Sequence, residues 1–150
     1  MPVVYKKNYV PGTNTMLNFD GYYSESRENQ LKPVFFYRDG SVWFAETFTV
    51  YSLAQIELNK NDPSIAHSWG NYKIEADTIY VERFHLSENT NNYRRIILKG
   101  VLQVNAIRWI QREENRQNPV KVDYYSTFTA HSPKPDSSGN WTRTREQYNK

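Results

Sequence analysis

Short runs of aromatic and β-branched residues alternate with Gly, Asn, Asp and Pro from Leu17 onward. That pattern reads as strands separated by turns. Eight runs stand out: Asn18 to Ser24, Pro33 to Arg38, Ser41 to Val50, Ser68 to Glu75, Thr78 to His85, Tyr93 to Val104, Ala106 to Arg112 and Lys121 to Ala130. Asp39-Gly40 supplies a strong two-residue hairpin signal between the second and third. A tight turn at Ala76-Asp77 joins the fourth and fifth.

Residues two apart on a strand share a face. Tyr72 and Ile74 therefore oppose Asn71, Lys73 and Glu75, and Ile96, Leu98, Gly100 and Leu102 line up together. Ile107 and Trp109 oppose Arg108, but Ile110 breaks that polarity. Gly100 interrupts an apolar strand, which marks a bend or a close approach.

One apolar and one polar face suit an antiparallel sheet, and short connections make neighbours of consecutive strands. The predicted fold class is all-β, an antiparallel up-and-down barrel of about eight strands, closed so that no edge is exposed. A two-sheet sandwich is the alternative. The expected organisation is an N-terminal lead-in over 1–16, a barrel domain over 17–131 and a polar C-terminal tail over 132–150. The longer connection from Tyr51 to His67 has room for a turn or two of helix at Leu53 to Leu58, ended by Pro63.

The 150 residues fit one domain with a sizeable core. Apolar residues are slightly sparse at 38%, and aromatics at 15% offset this, because each ring buries a large area. The net charge of +3 comes from scattered Lys and Arg, which reads as a solvated surface and gives no nucleic-acid stripe. The absence of cysteine excludes disulfides, thiolate zinc sites and thiol nucleophiles. No run is long enough to predict a membrane helix. Met1 to Lys7 has no apolar signal region, so the expected location is cytoplasmic, or the cell envelope if a leader has been removed.

At Phe19-Asp20-Gly21-Tyr22-Tyr23 the chain resembles the opening of a lipocalin-type barrel, with Tyr23 in place of the family's tryptophan. The segment Trp69-Gly70-Asn71-Tyr72-Lys73-Ile74-Glu75-Ala76-Asp77-Thr78-Ile79-Tyr80-Val81 is similar to the mid-barrel hairpin of bacterial lipocalin-like proteins, frequent among lipoproteins. The resemblance implies a calycin-type barrel, and a late basic residue (Arg143 or Arg145) packed across the first-strand aromatic.

No enzyme is expected. His67, His85 and His131 lack metal-ligand spacing, no serine has a nucleophile-elbow context, and no phosphate-binding glycine loop occurs. Cofactors are expected to be none. Glu113-Glu114 falls in a polar stretch that reads as a solvated hairpin loop.

The strand aromatics, Phe36, Phe44, Tyr72, Trp109 and Tyr124 among them, are read mainly as core. Their functional alternative is the lining of a ligand cavity larger than about 300 Å³. Charges in phase with apolar residues sharpen that alternative. Val34, Phe36 and Arg38 share a face, as do Val42, Phe44, Glu46 and Phe48, and Ile79, Val81 and Arg83. If these faces point inward, Arg38, Glu46 and Arg83 can hold an anionic head group. The cost of burying charge favours the opposite walls, with Phe35 and Tyr37, Trp43 and Ala45, and Tyr80 and Phe84 inside.

The expected function is non-enzymatic binding of a small hydrophobic or amphipathic molecule. The alternative is a protein-interaction or envelope-structural domain with a filled core. Binding of single-stranded nucleic acid on an aromatic, basic sheet ranks below both.

Overall fold

The computed structural model of the chain describes residues 14–25, 30–31, 33–44, 48–49, 69–86, 93–115, 117–131 and 137. Among these residues ten strands follow in chain order: β1 Gly21–Ser24, β2 Gln30–Leu31, β3 Val34–Phe36, β4 Ser41–Phe44, β5 Phe48–Thr49, β6 Trp69–Glu75, β7 Thr78–Leu86, β8 Tyr93–Gln103, β9 Ala106–Glu114 and β10 Val120–Ala130. Eight of them close into one antiparallel barrel, in the order β1, β3, β4, β6, β7, β8, β9, β10 and back to β1. Each barrel strand thus neighbours its successor in sequence, as a meander requires. There is no α-helix among the described residues. The proposed helical turn at 53–58 and residues Arg143 and Arg145 lie outside them.

Every barrel strand falls within one of the eight predicted runs or extends it by two residues or fewer. One run splits. Ser41 to Val50 contains both β4 and β5, and β5 pairs with β2 as a separate two-stranded sheet. β2 has no counterpart among the predicted runs.

The closing seam between β1 and β10 rests on a glycine. A Cβ at Gly21 would lie 2.0 Å from the Thr129 carbonyl oxygen, so no side chain fits. Gly100 answers a different need. Its Cβ would meet Ile107 Cγ2 at 2.8 Å and Trp109 Cε3 at 2.9 Å, inside the barrel. The glycine makes space for the indole where the β8–β9 register shifts.

Residues directly opposite in an antiparallel ladder point to the same side. The inner wall is the set Tyr23, Val34, Phe36, Val42, Phe44, Tyr72, Ile74, Ile79, Val81, Ile96, Leu98, Leu102, Ile107 and Trp109, joined by Leu17 from the lead-in. The wall assignment favoured by the cost of burying charge is therefore reversed on β3, β4 and β7. Its premise fails because the opposite faces are buried as well. Phe35, Trp43, Trp69, Glu82 and Phe84 are each at most 2% exposed on the outer side. Phe35 stacks on Trp43 at 5.5 Å and Trp43 on Trp69 at 5.8 Å. Glu82 accepts a hydrogen bond from Arg95 Nε at 2.6 Å, which holds its carboxylate in this layer. By contrast, the outer positions Arg108, Asp123 and Tyr125 on β9 and β10 face solvent.

Candidate functional site

The two ends of the barrel differ. At one end lie the 38–40, 76–77 and 104–105 turns and the end of β10. The lead-in crosses this end. Leu17 inserts into the core at 4% exposure, with Met16 and Phe19 packed beside it. Hydrogen bonds pin the segment to two of these turns and to the end of β10. Asn14 Nδ2 donates to the Ala76 carbonyl at 2.8 Å, Asn18 Nδ2 to Asn105 Oδ1 at 3.1 Å, and the His131 amide to the Asp20 carbonyl at 3.0 Å. The Tyr23 hydroxyl accepts from the Asn18 amide at 3.0 Å and donates to the Met16 carbonyl at 3.4 Å. Burial raises the pKa of that hydroxyl above its ordinary value, so it stays a donor. This end is closed by apolar packing.

Just above the plug, aromatic rings pack against one another. Phe36 meets Tyr23 edge-on at 5.6 Å and Tyr72 edge-on at 5.2 Å, and Phe128 lies 5.3 Å from Tyr23. The Tyr72 hydroxyl donates to the Tyr37 carbonyl at 2.6 Å. Higher up, Trp109 Nε1 donates to Ser126 Oγ at 3.0 Å, with both residues buried. Tyr124 shares this wall, paired with Trp109 and 6.5 Å from it ring to ring.

The far end is charged. Arg83 pairs with Gly70 and Ile96, so it belongs to the inner wall, and it is only 8% exposed. Its guanidinium lies 4.5 Å from the centroid of the Phe44 ring, a cation–π contact. Arg112 and Glu114 join it through a β-bulge. Lys99 pairs with Gln111 while Gly100 pairs with Trp109, which leaves Ile110 without an opposite residue. A bulge of this kind shifts the phase of all later side chains. Beyond it, Arg112 pairs with Leu98 and Glu114 with Ile96, and both partners are inner-wall residues. Arg112 donates to Glu114 Oε1 from Nε at 2.9 Å and from Nη2 at 2.5 Å. Arg94, in phase with Ile96 on β8, places Nη1 3.7 Å from Glu114 Oε2. The hydrogen bonds from Arg112 lead in lowering the Glu114 pKa, and the charges of Arg94 and Arg83 add to the effect.

Phe36, Phe44, Tyr72, Arg83, Trp109 and Tyr124 thus all belong to one interior. Arg38 does not reach it: β3 ends at Phe36, and Arg38 is exposed at the plugged end, 4.4 Å above the Phe19 ring. Glu46 lies outside the described residues. Trp43, expected inside with Ala45, instead faces the outer layer. Glu113 and Glu114 are strand residues rather than a solvated loop, because the bulge lets β9 keep pairing with β8 to its end. Neither Arg94 nor Arg112 is a candidate site residue in the sequence, and Glu114 is expected there only as part of a solvated loop. The signal for two of them was Ile110, whose break in alternation marks the bulge. Among the described residues, no His, Asp and Glu cluster could hold a metal ion, and no helix is long and apolar enough to cross a membrane. His131 packs edge-on to Tyr22 at 5.8 Å.

Comparison with protein-family models, with curated proteins and with solved structures gave no match.

Proposed function

We propose that this protein is a non-enzymatic carrier that holds a small apolar or amphipathic molecule in the half of the barrel away from the plug. The observation that carries this reading concerns β10. Val122, Tyr124 and Phe128 pack against the inner wall yet are only partly buried. In a fully packed barrel such side chains would be sealed from solvent. Apolar interior surface left within reach of water is what a hydrophobic ligand would cover. The resemblance of the first strand and the β6–β7 hairpin to lipocalin-type barrels supports the same reading, and we place the chain in that lipocalin-like class as part of the proposal.

Native mass spectrometry of the freshly purified protein, followed by denaturing extraction, tests it. The expected result is an adduct mass that disappears on denaturation and an extracted small molecule. A clean apo mass, with no thermal shift on adding amphiphiles, would overturn it. The edge-on rings of Tyr23, Phe36 and Tyr72 favour a second reading, a filled barrel that serves as a protein-interaction domain, and that result would point there.

A further inference from the structure

We infer that the barrel wall parts first between β1 and β3, and that this junction is the side portal through which a ligand enters. The portal rests on the carrier reading, whereas the parting itself does not.

Three features support it. The first is the ladder. Among the described residues, Tyr23 opposite Val34 is the one ladder pair between β1 and β3. β1 holds β10 through four pairs, β3 holds β4 through three, and β7 holds β8 through nine. Separating two strands gives up the backbone hydrogen bonds between them, so the shortest ladder parts at the least cost. The second is connection. Tight turns lead β3 into β4, β6 into β7 and β8 into β9, which zips each pair at one end. Between β1 and β3 lies β2, which pairs with β5 outside the barrel. Continued toward the charged rim, the register sets Ser24 against Pro33, whose nitrogen has no hydrogen to donate. The third is what closes the junction at rest. Tyr22 meets Phe35 edge-on at 5.8 Å on the outer side, and Tyr23 meets Phe36 edge-on at 5.6 Å inside. Ring packing of this kind shuts the wall without tying one backbone to the other. When β3 moves away, β1 keeps its pairs to β10 and the Tyr23 hydroxyl keeps its bonds to the plug. Phe128, paired with Tyr23, and Tyr124 stand one strand from the junction. A molecule entering there meets the partly buried wall of β10 and leaves Leu17 in place.

Hydrogen exchange tests the parting, and stopped-flow binding tests the portal. The chain has no cysteine, so Tyr23→Cys/Val34→Cys places one thiol pair across the junction, and residues directly opposite lie within reach of a disulfide. Ser24→Cys/Thr127→Cys is the control tether, across β1 and β10. In the wild type, amides of β1 and β3 should exchange at least about tenfold faster than those of β7 and β8. Oxidising the junction tether should remove most of that difference relative to the same variant reduced, and oxidising the control should not. Equal protection in the wild type, or the same response to both tethers, would overturn the parting. For the portal the probe is N-phenyl-1-naphthylamine. Its association rate should fall about tenfold or more on oxidising the junction tether, with Kd unchanged. An unchanged rate would overturn the portal and leave the carrier standing, with entry through the mouth. Failure of the wild type to bind the probe would overturn the portal together with the carrier it serves, and exchange would still decide the parting. Should Tyr23→Cys/Val34→Cys fail to fold, Tyr22→Cys/Phe35→Cys, one step along the same register, takes its place.

Discussion

Ser126→Ala isolates one interaction in the middle of the barrel. Ser126 and Trp109 are 4% and 2% exposed, and the indole Nε1 donates to the serine hydroxyl at 3.0 Å across the β9–β10 ladder. The substitution removes one oxygen, leaves almost no cavity, and strands a buried N–H. A lost hydrogen bond alone costs about 1 kcal/mol, and an orphaned buried donor brings the total to about 1–3 kcal/mol. For a chain of this size, 2 kcal/mol corresponds to a fall in Tm of roughly 4–8 °C. The assay is urea unfolding followed by tryptophan fluorescence, for the wild type, Ser126→Ala, Trp109→Phe and the double variant. Trp109→Phe alone also loses ring area, so the coupling between the two sites is the informative quantity. It should be about 1 kcal/mol in favour of the native pair. A Ser126→Ala variant within about 0.5 kcal/mol of wild type, together with a coupling near zero, would refute the reasoning that the serine hydroxyl is the indole's partner. Water would then be satisfying the indole.

Three other outcomes follow from the geometry. Gly100→Ala should destabilise by about 1–3 kcal/mol, because its methyl would press on Ile107 and the Trp109 ring, and chemical denaturation measures this. Ala76 sits at φ 56°, a region costly for residues with a Cβ, so Ala76→Gly should raise stability by about 0.5–1 kcal/mol in the same assay. Glu114 has a lowered pKa in the folded protein, chiefly through Arg112, so it contributes stability above the ordinary carboxylate range of about 4. That contribution fades as pH falls through the folded value, and the acid limb of a Tm-against-pH curve should be shallower in Glu114→Gln.

The strands were legible because their runs are short, alternating and bounded by turn residues, as at Asp39-Gly40 and Ala76-Asp77. The direction of the walls was not legible. Alternation identifies an inside only when the other face meets water, and on β3 and β4 both faces are apolar and buried. The cost of burying a charge argues against an inward Arg83, yet a cation beside an aromatic face at a barrel rim gives up less hydration than one in a closed core. Arg38 shared a phase with Phe36, but phase holds only while the strand continues, and β3 stops first. Glu114 was assigned to a loop because its neighbourhood is polar. Polarity there marks the rim of a strand pair, a distinction that requires knowing where the partner strand starts. The β2–β5 pairing joins residues far apart in sequence, and Gln30-Leu31 has no alternation long enough to announce it.

The bulge at Ile110 has a consequence for how such a rim could diverge. Arg112 and Glu114 face the interior because of a residue count, independent of their own chemistry. Deleting Ile110 would rotate the end of β9 by half a repeat, sending both side chains to the outer surface and bringing other positions inward. A single-codon deletion would thereby rewrite the polarity of the barrel mouth with no substitution at any rim position. In a lineage of such barrels, insertions and deletions inside β9 would then alter the charge at the barrel mouth more abruptly than point changes, and a comparison scored on residue identity alone would overlook them.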